Sequence, residues 1–305
     1  MDVLINEVGP RDGLQSQGKT LSVAQRAELI GALVASGVRA IEAGSFVSPK
    51  AVPQMAGTDE LYGLLPAAQQ VAYSALVPNM RGYELAVAAG ARTVNVVLSA
   101  TETMNQKNIR MSLEQTTSVC AEIMQRCRED GINGQAYVAV AFSCPFEGET
   151  SQPVVRALSE QMIEAGAGKV IIADTIGAAN PRQVTELMRA LAGSIGAARL
   201  SCHFHDTRGM ALANVLAALN EGICEFDSSI GGLGGCPFSP GASGNLATED
   251  LALMLESMGL HIGFAARDLV PVVRLAERLT GITLGGHSFR WLARQVESDG
   301  QGACA

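Results

Sequence analysis

The sequence predicts an α/β fold, a (β/α)8 TIM barrel with a C-terminal helical extension. Three observations predict it. Eight short β-branched runs alternate with longer amphipathic stretches, which implies a parallel sheet covered by helices. The 305 residues suit a barrel, whose typical length is ~250 residues plus extensions. No GxGxxG opens a helix after the first strand, which disfavours an open dinucleotide-binding sheet.

The strands expected in order are 3–8 (VLINEV), 39–44 (RAIEAG), 70–77 (QVAYSALV), 92–99 (RTVNVVLS), 135–142 (QAYVAVAF), 169–174 (KVIIAD), 198–205 (ARLSCHFH) and 223–229 (ICEFDSS). Between them run helical stretches such as 24–36, 113–130 and 181–194, each with apolar residues on one face. Residues 263–299 follow the eighth unit and read as its helical extension, so 1–305 is expected to form one catalytic domain.

Composition narrows the function classes. A formal net charge of −8 argues against a nucleic-acid partner, which would need a basic face. It leaves room for a polyanionic small ligand on a local basic rim. The opening MDVLINEVGPRDG has neither a basic n-region nor an apolar h-region, and no run of ~18 apolar residues occurs. No secretory signal and no membrane partner are expected. The seven cysteines are odd in number and without CxxC spacing, which suits a reduced cytoplasmic chain.

In this architecture, functional groups collect at the C-terminal ends of strands. The first run ends in Arg11-Asp12-Gly13. The second carries Glu42 and runs into Ser45–Lys50. The sixth ends in Asp174, the seventh in His203-Phe204-His205, and the eighth leads into the Gly-rich 231–250. His203 and His205 are the most informative pair. Side chains at i and i+2 share one side of a strand, so both imidazoles face one point at the mouth. Imidazole suits Zn, Fe and Mn, while carboxylate and amide oxygens suit Mg, Ca and Mn; Asp12 plus an amide would complete a mixed site. Two core histidines with ordinary hydrogen bonds are the alternative. Asp12 reads equally as an N-cap of the first helix. Cys236 is either a reactive thiol in a mobile Gly-rich loop or a small buried one. Glu42 sits in an apolar strand, where an unpaired carboxylate is costly; Arg11, across adjacent strands, is its natural partner, and Asp174 raises the same question.

Several segments together resemble the hydroxymethylglutaryl-CoA lyase family: EVGPRDGLQ (7–15), IEAGSFVSPKAVPQM (41–55), LVPNMRGYELAVAAGA (76–91), CPFEG (144–148), DTIG (174–177), HFHDT (203–207), DSSIGGLGGCPFSPGASGNLATED (227–250) and LESMGLHIG (255–263). They run in order over nearly the whole chain. The 227–250 match is the most specific; RDG or HxH alone would not be. The resemblance implies a divalent-metal-dependent carbon–carbon lyase that cleaves 3-hydroxy-3-methylglutaryl-CoA to acetyl-CoA and acetoacetate. It implies metal ligands Asp12, His203, His205 and Asn245, with Mg or Mn bound. Arg11 would stabilise the enolate oxygen, Glu42 would support Arg11, Asp174 would lie beside the substrate, and Cys236 would take part in proton transfer. Independently of the resemblance, Lys50, Arg81 and Lys107 each follow a strand end and together could form a basic rim for the acyl-CoA phosphates, although each alone reads equally as a solvated surface charge. A homo-oligomer, specifically a dimer, is expected.

The sequence also departs from the family. Gln135 stands where a basic residue precedes the fifth-strand Tyr137. Ser143 and Phe146 alter GCPYEG, Ala173 alters GDTIG, and Arg208 follows HDT. None touches the proposed ligands, but several are expected near the mouth, which leaves the acyl group open. Citramalyl-CoA and an isoprenoid-extended homologue are the related substrates; a non-catalytic barrel that binds acyl-CoA is the alternative of a different class.

Overall fold

The computed structural model describes residues 2–67, 70–235 and 244–302. Among them, eight parallel strands close into a barrel: β1 (Leu4–Glu7), β2 (Ala40–Ser45), β3 (Ala72–Leu76), β4 (Thr93–Ser99), β5 (Asn133–Ala139), β6 (Lys169–Asp174), β7 (Leu200–Phe204) and β8 (Glu225–Ser228). Each pairs with its sequence neighbours. β8 closes on β1 in register from Leu4 opposite Glu225 to Glu7 opposite Ser228.

Helices α1 (Val23–Ala35), α2 (Thr58–Leu64), α3 (Met80–Ala88), α4 (Glu102–Ile109) and α5 (Leu113–Asp130) follow the first four strands. Helices α6 (Gln152–Ala165), α7 (Pro181–Ile195), α8 (Ala211–Asn220) and α9 (Thr248–Ser257) follow the last four. α10 (Val270–Thr280) and α11 (Phe289–Gly302) form the C-terminal extension. Local chemistry sets several starts. Ser22, Ser112 and Asn180 each accept from the backbone three residues on, and the Gln there reaches back, satisfying two orphan donors apiece. No described helix is long and apolar enough to cross a membrane.

Leu29, Ile30 and Leu33 of α1, and Val184, Leu187 and Leu191 of α7, are buried in the main apolar core. The barrel interior is different. Glu42, Asn95, Tyr137, His203 and Asp227 are all buried polar residues, where barrels of this class usually pack branched apolar layers.

β5 corrects the expected boundaries. The apolar run extends to Phe142, but the strand ends at Ala139 and begins two residues earlier than expected. Val140 takes φ +49, a left-handed conformation that is uncommon for a β-branched residue. Its N–H donates to Thr175 Oγ1 at 2.8 Å and its carbonyl accepts from Thr150 Oγ1 at 2.6 Å. Residues 140–142 therefore leave the sheet while staying buried, and hydrophobicity alone cannot mark that exit. The shift also moves Gln135. It pairs with Lys169, the first residue of β6, so it lies towards the strand starts and away from the mouth.

Candidate active site

Asp12 is not a helix cap. It sits in a five-residue π-helical turn, Gly9–Gly13, directly after β1, while α1 starts ten residues later on its own cap, Ser22. Such turns recur at functional sites because they re-aim side chains. Here the turn points Arg11 and Asp12 to the mouth. His203 is the fourth residue of β7, and His205 lies one past its end, in an antiparallel bridge with Asn245. That bridge brings Asn245 back from the loop after β8.

Asp12, His203 and His205 each offer one ligand atom, and the three atoms lie within 4.8 Å of one another. Asn245 joins them: its Nδ2 donates to Asp12 Oδ2 at 2.9 Å and to the Leu233 carbonyl at 3.2 Å. Its Oδ1 is buried without a hydrogen-bond partner, and so is His205 Nδ1. Buried acceptors are seldom left unpaired. One carboxylate, two imidazoles and one amide oxygen fit a divalent ion.

Arg11 is buried beside this set. Its Nε donates to Glu42 Oε2 at 2.5 Å and its Nη1 to Asp12 Oδ1 at 2.6 Å. Burial opposes the guanidinium charge, but the Glu42 and Asp12 carboxylates outweigh it and hold the group protonated. Burial likewise works against an ionised Asp12, yet the charges of Arg11 and the two histidines hold it well below the usual carboxylate range. His205 is pushed down to about 4, first by burial and then by the neighbouring His203, so it is neutral near pH 7, the form a ligand needs.

These groups open on a cavity of about 820 Å3 at the mouth, lined by Arg11, Asp12, His203, His205, Gly234 and Gly235 together with the apolar Leu76, Val97, Met104 and Val119. A second hollow, of about 730 Å3 between α1 and the helices of the extension, holds none of the residues singled out from the sequence.

The HMGL-like family matches residues 2–275. The chain belongs to that family. The hydroxymethylglutaryl-CoA lyase of Pseudomonas mevalonii is 45% identical over 278 residues, 91% of each chain. The (R)-citramalyl-CoA lyase of Chloroflexus aurantiacus is 41% identical over 293 residues, 93% of this chain and 91% of its own. A solved HMG-CoA lyase from Acinetobacter baumannii, in complex with coenzyme A and 3-methylmalate, is 38% identical with a TM-score of 0.91, covering 95% of this chain and 94% of that one.

Other residues singled out from the sequence fall less centrally. The Asp174 oxygens accept the N–H groups of Ala178 and Ala179 at 2.9 and 3.0 Å, so this carboxylate shapes the loop after β6. Its pKa is raised to about 6, mainly by burial. Ala173 and Thr175 on either side line the cavity. Lys50, Arg81 and Lys107 all lie beyond strand ends and are exposed, and none lines the cavity. Lys107 rests its ammonium 5.1 Å from the Phe146 ring centroid. Cys236 lies outside the described residues.

Two functional neighbours escaped the sequence reading. Asp227 of β8 stands opposite His203 in register. It takes Asn6 Nδ2 on one oxygen at 2.8 Å, and the Tyr137 hydroxyl at 2.7 Å and His203 Nδ1 at 3.0 Å on the other. Asn95 of β4 donates to Glu42 Oε1 at 2.8 Å and holds the carboxylate that holds Arg11. A signal existed for Asp227: it is a carboxylate inside a buried strand, the same feature that flagged Glu42.

Proposed function

We propose that this chain is a divalent-metal-dependent carbon–carbon lyase that cleaves 3-hydroxy-3-methylglutaryl-CoA to acetyl-CoA and acetoacetate. The observation that carries this reading is the meeting of Asp12, His203 and His205 within 4.8 Å, beside the Arg11 guanidinium, at one wall of the cavity. Asp12, His203, His205 and Asn245 Oδ1 would hold the ion, with Mg or Mn suited to its carboxylate and amide oxygens. When bound, it would lower the pKa of the substrate's C3 hydroxyl and orient it.

The chain's own groups do the rest. Asp227 holds His203 Nδ1, which leaves Nε2 for the site. Asp12 or one of the histidines accepts the C3 hydroxyl proton. The hydroxyl oxygen becomes the keto oxygen of acetoacetate as the C2–C3 bond breaks, and that electron pair moves onto the thioester oxygen. Arg11, fixed by Glu42 and Asp12 in advance, donates to this oxygen as charge develops. Cys236 then supplies the proton that turns the enolate into acetyl-CoA. The CoA handle is proposed to cross the mouth towards Lys50, Arg81 and Lys107. A homodimer in the cytoplasm completes the proposal; light scattering on the purified chain tests the dimer.

A second reading, cleavage of citramalyl-CoA to acetyl-CoA and pyruvate, is favoured by the 41% identity to the Chloroflexus lyase. It uses the same bond cleavage and differs only at C3. An acetyl-CoA release assay with both thioesters decides between them. Faster release from the hydroxymethylglutaryl thioester supports the first reading, and faster release from citramalyl-CoA replaces it with the second.

A further inference from the structure

The loop after β8 meets the cavity on its inner side and the C-terminal extension on its outer side. Gly234 and Gly235 line the cavity, and the Leu233 carbonyl accepts from Asn245 Nδ2. Two residues earlier, both halves of the Gly231 backbone are held from outside. Its N–H donates to Glu249 Oε2 at 3.0 Å, and its carbonyl accepts the Gly285 N–H at 3.0 Å. The other Glu249 oxygen accepts the Gly286 N–H at 2.7 Å. One buried carboxylate, on α9, thus bridges the cavity loop to the segment between α10 and α11. Asp250, the next residue, takes the N–H groups of His287 and Ser288 at 2.7 and 2.8 Å, together with the Ser288 hydroxyl. The approach is close enough to need glycine. A Cβ on Gly286 would stand 2.4 Å from Asp250 Oδ2, and one on Gly231 (φ +64) would stand 2.9 Å from Leu284 Cβ.

We propose that Glu249 and the 284–288 segment form a positioning brace for the metal site, setting through Leu233 which way the Asn245 amide faces. The inference rests on the metal-site reading above. The family match ends at residue 275, so the tail side of the brace lies beyond it. The physical reason is the symmetry of an amide. Asn245 Nδ2 is shared between Asp12 Oδ2 inside the site and the Leu233 carbonyl of the loop, and these two bonds alone distinguish it from the unpartnered Oδ1. If Leu233 drifts, the amide loses one of the two bonds that tell its ends apart. A flipped amide would aim N–H groups at a cation. Glu249 touches no substrate and acts only through this backbone.

The test compares Mn2+ affinity, read by calorimetry on the full chain without substrate, in three variants. Glu249→Gln removes one of the two acceptors. Gly286→Ala drives a methyl into the Asp250 carboxylate and lifts the tail, leaving the cavity untouched. Val184→Ala, in the buried face of α7, lowers stability elsewhere and is the control. The brace predicts that the first two bind Mn2+ at least about tenfold more weakly, the scale of groups that orient metal ligands. It also predicts a lower kcat with KM for the thioester within twofold, while Val184→Ala binds Mn2+ like the parent. If Glu249→Gln does not fold, Gly286→Ala decides. Parental Mn2+ affinity in a folded brace variant, or an equal loss in Val184→Ala, overturns the proposal. A parent chain that binds Mn2+ but leaves hydroxymethylglutaryl-CoA intact would overturn the proposed substrate and still leave the brace measured. A parent chain that binds no Mn2+ overturns both.

Discussion

The Asp227 carboxylate accepts from His203 Nδ1 at 3.0 Å across the β7–β8 pair, and the same oxygen takes the Tyr137 hydroxyl at 2.7 Å. The carboxylate therefore favours a proton on Nδ1 and fixes the ring's orientation before any ligand arrives, with Nε2 left for the site. Asp227→Asn keeps the shape but allows the amide to donate where it should accept. It is expected to lower metal affinity or kcat by about 10–100-fold with little change in fold, as for other carboxylates behind metal-bound histidines. Calorimetric Mn2+ titration alongside kcat checks this, and parental values for both would remove Asp227 from the site.

Arg11 is held on both sides, by Glu42 at 2.5 Å and Asp12 at 2.6 Å, so it meets developing charge without reorganising. Arg11→Met is expected to lower kcat by on the order of 10²–10³-fold, with a much smaller effect on KM. Steady-state kinetics on the hydroxymethylglutaryl thioester test it. A raised KM with unchanged kcat would reassign Arg11 to ground-state binding.

Lys50, Arg81 and Lys107 are exposed and stand outside the cavity, so on the proposed reading they would meet the CoA handle and not the reacting carbons. Changing all three to Ala is expected to raise KM severalfold and leave kcat nearly intact. Salt should shrink the difference, because exposed charges are screened within ~8 Å at physiological ionic strength. An unaltered KM at low salt would move the phosphates to another part of the mouth.

Glu7 accepts the N–H groups of Gly9 and Ile230 and the Thr248 hydroxyl inside the barrel wall. Burial is the largest influence on its pKa, which is raised from 4.5 to about 7. A carboxyl whose folded pKa lies above its unfolded one contributes stability fully below pH 4.5 and loses it as pH rises through about 7. Between pH 5 and 8 the stability gap between the parent and Glu7→Gln should therefore narrow, by about 2 kcal/mol since one pKa unit is worth about 1.4. Urea unfolding across this range reads the gap, and a constant or widening gap would contradict the assignment.

Much of this site was legible because strand geometry is periodic. The i, i+2 rule put His203 and His205 on one side, and the cost of a lone buried carboxylate paired Glu42 with Arg11; both relations are present. Relations that depend on chain reversal or register were not legible. Asn245 reaches His205 through an antiparallel bridge from a loop forty residues on, and only the family resemblance pointed to it. Asp227 meets His203 through a register that no spacing encodes. β5 ends where Val140 takes a positive φ inside an unbroken apolar run, which hydrophobicity cannot reveal. Strand-end logic placed Lys50, Arg81 and Lys107 beyond strand ends, where they lie, but could not say that none of them lines the cavity.

The most direct test of the account is product stoichiometry in metal-stripped protein. Chelator-treated protein should leave 3-hydroxy-3-methylglutaryl-CoA intact. Titrating in Mn2+ should then release acetyl-CoA and acetoacetate in equal amounts, with activity saturating at one ion per chain. His203→Ala should fail to recover at the same Mn2+ concentration. Equal turnover with and without the ion, or full recovery of His203→Ala, would contradict the central claim that Asp12, His203, His205 and Asn245 hold the metal that this lyase needs.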